Sequence, residues 1–183
     1  MNELLTQFAK DYYPTSKYDL YAMFLERSFS LIHDRGYAAL VTMESWMTGA
    51  RYSNFRAEII FKQALRSLIH MPYLGKGRTA MGINFGITTT VLQKASSHNC
   101  LSNFQCIRHD QLDELGVPLE FPVKNGLFET ISMDQFAQIP GMPIIYAASP
   151  EDLAALASRP KIADLLLTRE GLTTGDNDRF LRR

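Results

Sequence analysis

No apolar run in these 183 residues approaches the roughly 20 needed to cross a bilayer. The opening MNELLTQFAKDYYP also lacks the basic and apolar regions of a secretory signal. No membrane association is expected, and a cytoplasmic address follows. Cysteine is scarce: Cys100 and Cys106 are the only two, too few for a disulfide framework and suited to a reducing compartment. Neither sign of charge is in excess, since Lys plus Arg and Asp plus Glu each number 19. That balance excludes bulk electrostatic attraction to nucleic acid or to an acidic membrane, and it counts against autonomous DNA binding. Internal repeats and low-complexity tracts are missing too.

Local catalytic motifs are equally sparse. Cys100, Cys106, His98 and His109 lie close together but have neither C-x2-C nor H-x3-H spacing, so no metal site is expected. Gly75-Lys76-Gly77-Arg78-Thr79 lacks the phosphate-loop spacing and reads as a solvated turn. Ser45 has no flanking glycines to make a nucleophile elbow. His33 and His70 have no neighbouring acid in the sequence to define a catalytic pair, and both read as structural.

What is present is organised around Tyr18 to Trp46. Leu20, Phe24, Leu25, Phe29 and Ile32 recur at helical spacing and are expected to face inward, with Glu26, Arg27, Ser30 and Asp34 largely opposite. After Gly36, which is available for the positive φ that closes the helix, Tyr37 to Met43 has no polar face. Such a run predicts a strand covered by helices on both sides. Glu44 to Gly49 then sits at a strand's carboxyl end, where open α/β sheets place ligands.

On either side of this unit the elements are shorter. A helix is expected within Asn2–Tyr13, with Thr15 and Ser16 as caps for the next one. Tyr52–Gln63 reads as a helix with Phe55, Ile59 and Ile60 inward, and Leu65–Met71 as a strand. Gly82–Lys94 reads as a strand pairing antiparallel with it, because only a loop separates them. Asn103–Arg108 predicts another strand, Asp110–Leu115 a helical turn, and Met133–Gln138 and Pro150–Leu156 helices. Two prolines around Gly141 mark a boundary at Ile139–Pro143.

Several of these stretches carry a resemblance. Asp19 to Arg27, Gly36 to Thr42 and Ser45-Trp46-Met47 resemble the segment following the catalytic motif in N6-adenine DNA methyltransferases of the gamma, Eco57I-like and PglX type. Tyr52 to Arg56 resembles the family's next helix, Leu65 to Leu74 its next strand, and Gly86 to Leu92 its closing antiparallel strand. Ile139 to Tyr146 and Gly171 to Phe180 are similar to the PglX proteins of BREX phage-defence systems, where they lead into the target-recognition domain. The resemblance covers nearly the whole chain.

It implies a partial Rossmann-like α/β fold: the C-terminal half of an S-adenosylmethionine-dependent catalytic domain over 1–95, with parallel strands and a final antiparallel one. An α+β extension over 96–143 and the start of a recognition domain or linker over 144–183 would follow. The family's glycine-rich cofactor turn, ribose-binding acid and Asn-Pro-Pro-Tyr motif would lie upstream; no Pro-Pro pair occurs here, and His70-Met71-Pro72-Tyr73 reads as a turn.

The resemblance assigns Phe24 to the wall of the cofactor's adenine pocket, with Asp19 and Tyr21 holding the catalytic loop. It assigns Lys76 and Arg78 to DNA phosphate, and Phe85 to the displaced aromatic that stacks on an extruded base. Alone, the chain is expected to be catalytically silent and to bind no cofactor. An upstream methyltransferase half, or a second copy, would cover its open sheet edge. The rival expectation is a noncatalytic interaction module. A third, an unrelated α/β enzyme using Glu44 or the Lys76 loop, lacks a second catalytic partner.

Overall fold

The computed structural model describes residues 2–62, 64–73, 85–95, 101–115, 117–123 and 125–167. Helix α1 (Glu3–Tyr12) is capped by the Asn2 side chain, which accepts from the Leu5 amide. Helix α2 (Leu20–Leu31) begins at Asp19 rather than at Thr15 or Ser16. Those two hydroxyls donate instead to the Glu26 carboxylate, at 3.4 and 2.6 Å. Glu26 is thereby drawn into partial burial, although its spacing places it on the polar side.

Strand β1 (Tyr37–Met43) leads through α3 (Ser45–Thr48), a 3-10 turn (Ala50–Tyr52), α4 (Ser53–Phe55) and a π turn (Arg56–Ile60) into β2 (Ala64–Met71). Strands β3 (Ile87–Gln93), β4 (Leu101–Cys106) and β5 (Phe128–Ser132) complete one sheet of order β1-β3-β2-β4-β5. β3 lies antiparallel between β1 and β2, as expected for its pairing with β2. β1 and β2 therefore run in the same direction. β4 joins β2 in parallel, so three strands deliver their carboxyl ends to one edge, and β5 returns antiparallel. This mixed α/β sheet is part of a Rossmann-like fold.

The core lies on one face. Leu25 and Phe29 of α2, Trp46, Phe55, Leu65, Leu68, Leu92 and Phe104 form one buried cluster. Each large apolar side chain contributes on the order of 1.5–3 kcal/mol by leaving water. Trp46, wholly buried, donates its indole N–H to Thr88 Oγ1 at 3.2 Å, and Thr42 bonds the same hydroxyl at 3.1 Å. Polar atoms inside the sheet are thus satisfied by one another.

Three expectations are corrected here. β1 is not covered on both sides: Ala38 and Thr42 are buried, but Tyr37 and Val41 are 59% and 54% exposed. Its all-apolar sequence conceals an alternation, because one face meets the core and the other meets none among the described residues. Phe24 is 64% exposed and Leu20 44%, since Ala22, Met23, Leu25 and Phe29 make the buried face of α2. The positive φ after α2 belongs to Arg35 (63°), not Gly36. Gly36 is needed instead for close approach, because a Cβ there would press on the His33 carbonyl.

Beyond β5, Phe136 on α5 (Asp134–Ala137) is buried edge-on against Phe104. The segment that follows turns back to the sheet. The Ile144 amide donates to the Met47 carbonyl at 2.9 Å, and Tyr146 stacks on Phe104 with ring planes 10° apart. Ile144 and Tyr146 share the central core, and α6 (Pro150–Ser158) and α7 (Ile162–Leu165) follow them.

Candidate functional site

The carboxyl ends of β1, β2 and β4 bring together Glu44, His70 and Cys106, and the returning chain adds Tyr146. Glu44 follows β1 directly. Its amide donates to the Gly86 carbonyl at 3.0 Å, and its carboxylate lies flat against Gly86, where any Cβ would overlap it. His70, the penultimate residue of β2, meets Glu44 Oε2 through Nε2 at 2.6 Å. Its Nδ1 meets the Tyr146 hydroxyl at 2.9 Å.

The proton arrangement follows from the partners. An ionised carboxylate only accepts, so Nε2 of His70 carries the proton and donates to Glu44. In the neutral ring Nδ1 is then an acceptor, and Tyr146 donates to it. Tyr146 is suited to that role: burial, the neighbouring Cys106 and the charge of Glu44 raise its phenol well above the usual range, keeping it protonated. Donation thus runs from Tyr146 to His70 to Glu44.

His70 stands between two recesses. One, about 300 Å³, is lined by Glu44, Ser45, Met47, Thr48, Gly49 and His70. The other is a groove of about 1020 Å³, reaching from His70, Cys106 and Tyr146 past Met47 and Pro72 to α6. The geometry offers an oriented carboxylate, a ring with a fixed tautomer and apolar walls, which suits recognition of a hydrogen-bond donor. Among the described residues no group of three or more His, Cys, Asp and Glu is arranged to hold a metal.

Sequence reasoning treated His70 as structural for want of an adjacent acid, and named Glu44 without a partner. They are 26 residues apart, and only the parallel delivery of β1 and β2 to one edge joins them. The signal available in the sequence was that both residues close a strand.

The residues assigned by resemblance distribute as follows. Tyr21 lies near this edge, its hydroxyl 2.8 Å from Ser45 Oγ, and burial above all raises its phenol. Asp19 is the residue before α2 and makes no side-chain cap bond. Phe24 lies one turn further on, exposed. Phe85, 39% exposed, precedes the glycine under Glu44. Lys76, Arg78, His98, Cys100 and the terminal Gly171–Phe180 motif lie outside the described residues.

A second cluster supports the edge from behind. Arg56, 1% exposed, donates Nη1 to the carbonyls of Trp46 and Gly49, and Nε and Nη2 to that of Gly141. Burial lowers its guanidinium to about 10.

Residues 1–75 match the model of the Eco57I restriction-modification methylase family. All of the chain aligns with the adenine-specific methyltransferase PglX of Lacticaseibacillus casei (strain Zhang) at 32% identity, and with the adenine-specific methyltransferase BrxX of Escherichia coli O9:H4 (strain HS) at 30%. It spans about 15% of the length of each of these curated relatives. A cryo-EM structure of a DrdV–DNA complex shares the fold with a TM-score of 0.52 at 15% identity, over 80% of this chain and 16% of that one. Along its whole length the chain is thus similar to Eco57I-like, PglX-type adenine-specific methyltransferases.

Proposed function

We propose that this chain is part of an S-adenosylmethionine-dependent N6-adenine DNA methyltransferase of the restriction-modification or BREX phage-defence type, working in the cytoplasm. The observation that carries the reading is the likeness to PglX and BrxX along the whole chain. A β3 inserted antiparallel between two parallel strands is in keeping with it. In this reading residues 1–95 supply the C-terminal half of the catalytic sheet, 96–143 an extension, and 144–183 the lead-in to target recognition.

S-adenosylmethionine, when bound, supplies an electrophilic methyl group for the amine of a DNA adenine. The chain's own residues contribute one wall. Phe24 fits a cofactor role in being an exposed ring, able to offer a face to the cofactor's adenine. Tyr21, bonded to Ser45, ties the start of α2 to the turn after β1, with Asp19 at the helix start. The resemblance gives Phe85 the stacking role on an extruded base and assigns Lys76 and Arg78, whose cations would meet phosphate, to the DNA backbone. By itself the chain binds no cofactor and transfers no methyl group, because its 183 residues contain no Asn-Pro-Pro-Tyr to orient the target amine.

One observation favours a second reading. Leu20, Phe24, Leu31, Tyr37 and Val41 are exposed apolar residues on α2 and the edge strand β1. Exposed apolar residues on α2 and at an open sheet edge suit a noncatalytic interaction module, or a subunit of a split enzyme covered by an upstream half or a second copy. The test mixes the chain with a polypeptide bearing the upstream motifs and follows labelled methyl onto duplex adenine. Transfer by the mixture, and by neither part alone, is expected. A stable complex without transfer favours the interaction module, and stoichiometric S-adenosylmethionine binding by the chain alone in titration calorimetry overturns its silence.

A further inference from the structure

We propose that the recess between the turn after β1 and the loop at 140–143 binds the phosphate group of a small phosphomonoester, with Arg56 at its floor and Lys161 at its rim. The recess encloses about 310 Å³ and shares only Thr48 with the one beside Glu44. None of the residues that line it is acidic. Asp164 lies near Lys161 in the chain, but its carboxylate accepts from the Lys161 backbone amide at 2.9 Å and makes no ion pair with the ammonium among the described residues.

The floor carries a charge without a counter-charge. Arg56 is 1% exposed, and although burial lowers its guanidinium to about 10, it stays cationic at neutral pH. Carbonyl dipoles take four of its five N–H groups: Nε and one N–H of Nη2 on Gly141, and the two of Nη1 on Trp46 and Gly49. The second N–H of Nη2 has no partner among the described residues. A Cβ built on Gly141 would stand 3.8 Å from Nη2 and 3.8 Å from Ser53 Cβ, so Nη2, Ser53 and the bare side of Gly141 border one space. All three residues line the recess, and a side chain at 141 would narrow it.

The remaining donors define the ligand. The hydroxyls of Thr48 and Ser53 also line the recess and have no hydrogen-bond partner among the described residues. Two cations and two hydroxyls suit an oxyanion with several acceptor oxygens, and hydrogen bonds to such an anion are stronger than those between neutral groups. A phosphomonoester carries a charge of about −1.5 to −2, which two cations balance, whereas a diester carries one charge. Pro140 and Pro143 give an apolar wall for a small substituent. The equal numbers of acidic and basic residues give no long-range pull toward duplex nucleic acid, which favours a small ligand.

The test titrates the 183-residue chain, labelled with nitrogen-15, with methyl phosphate and separately with dimethyl phosphate, at one ionic strength so that screening is equal. Expected are saturable shifts of the Ser53, Arg56 and Gly141 amides by methyl phosphate with Kd of about 1 mM or tighter, and dimethyl phosphate weaker by about tenfold. Lys161→Glu, at an exposed position and checked for an unchanged amide spectrum away from the recess, is expected to weaken methyl phosphate by about tenfold or more. Ser53→Ala removes one hydroxyl and is expected to weaken it by about fivefold. No saturable shift, equal affinity for the two esters, or Lys161→Glu binding as the parent does overturns the assignment. A duplex oligonucleotide that displaces methyl phosphate from the same amides, at lower concentration than any monoester, would give the recess to a nucleic-acid backbone and overturn it too.

Discussion

Arg56 and Gly141 are separated by 85 residues, yet the guanidinium of the first grips the carbonyl of the second through two N–H groups at 2.9 and 2.6 Å. The third nitrogen of the same fork reaches the carbonyls of Trp46 and Gly49. One side chain therefore ties the turn after β1 to the loop that returns Tyr146 to the sheet. Among the described residues its partners are carbonyl dipoles alone, with no carboxylate to offset the cost of burial that lowers its pKa.

Replacing Arg56 with methionine keeps much of the volume and leaves three carbonyls to find other donors. A loss of about 3–5 kcal/mol is expected from urea denaturation, with Arg56→Lys intermediate because a point charge cannot span the same fork. A loss below about 1 kcal/mol would show that water replaces the guanidinium without cost, and the proposed tie would be wrong.

Gly86 bears on the site itself. A methyl group there would occupy the position of the Glu44 carboxylate, while the backbone bond from Glu44 N–H to the Gly86 carbonyl keeps the two residues in register. Gly86→Ala is expected to cost about 1–3 kcal/mol as overpacking, and to move Glu44 off His70. Chemical denaturation reads the first effect and the His70 ring resonances read the second. Ring resonances identical to the parent's would mean that the carboxylate is not held as described.

The sheet was legible where local rules decide it. β2 and β3 pair antiparallel, as the loop-forming sequence between them predicts, and the β-branched run Ile87 to Val91 named its own strand. Burial was less legible. Tyr37 to Met43 reads as doubly covered because composition reports what a residue tolerates, and an apolar face awaiting a partner has the same letters as one already packed. Phe24 was misplaced for a like reason: α2 carries apolar residues around more than one face, and periodicity cannot say which meets the core. The Glu44–His70–Tyr146 chain depends on β1 and β2 ending together and on a segment returning from beyond β5. Neither relation is local, so no motif spacing announces it.

The outer edge of β1 gives the last prediction. Among the described residues β1 ends the sheet, pairing with β3 on one side, and Tyr37 and Val41 project from its uncovered face. An uncovered apolar strand at an edge is a template for another strand, and burying it gains about 25 cal/mol for each Å² removed from water. The isolated chain is therefore expected to self-associate with rising concentration in sedimentation velocity. Val41→Lys places a charge on that face, where it must be desolvated before a second strand can dock, and should return the chain to monomer. Because Val41 is 54% exposed, the same change should alter unfolding free energy by no more than about 0.5 kcal/mol. A Val41→Lys chain that associates as strongly as the parent would place the contact elsewhere and remove the edge from consideration as the covered surface.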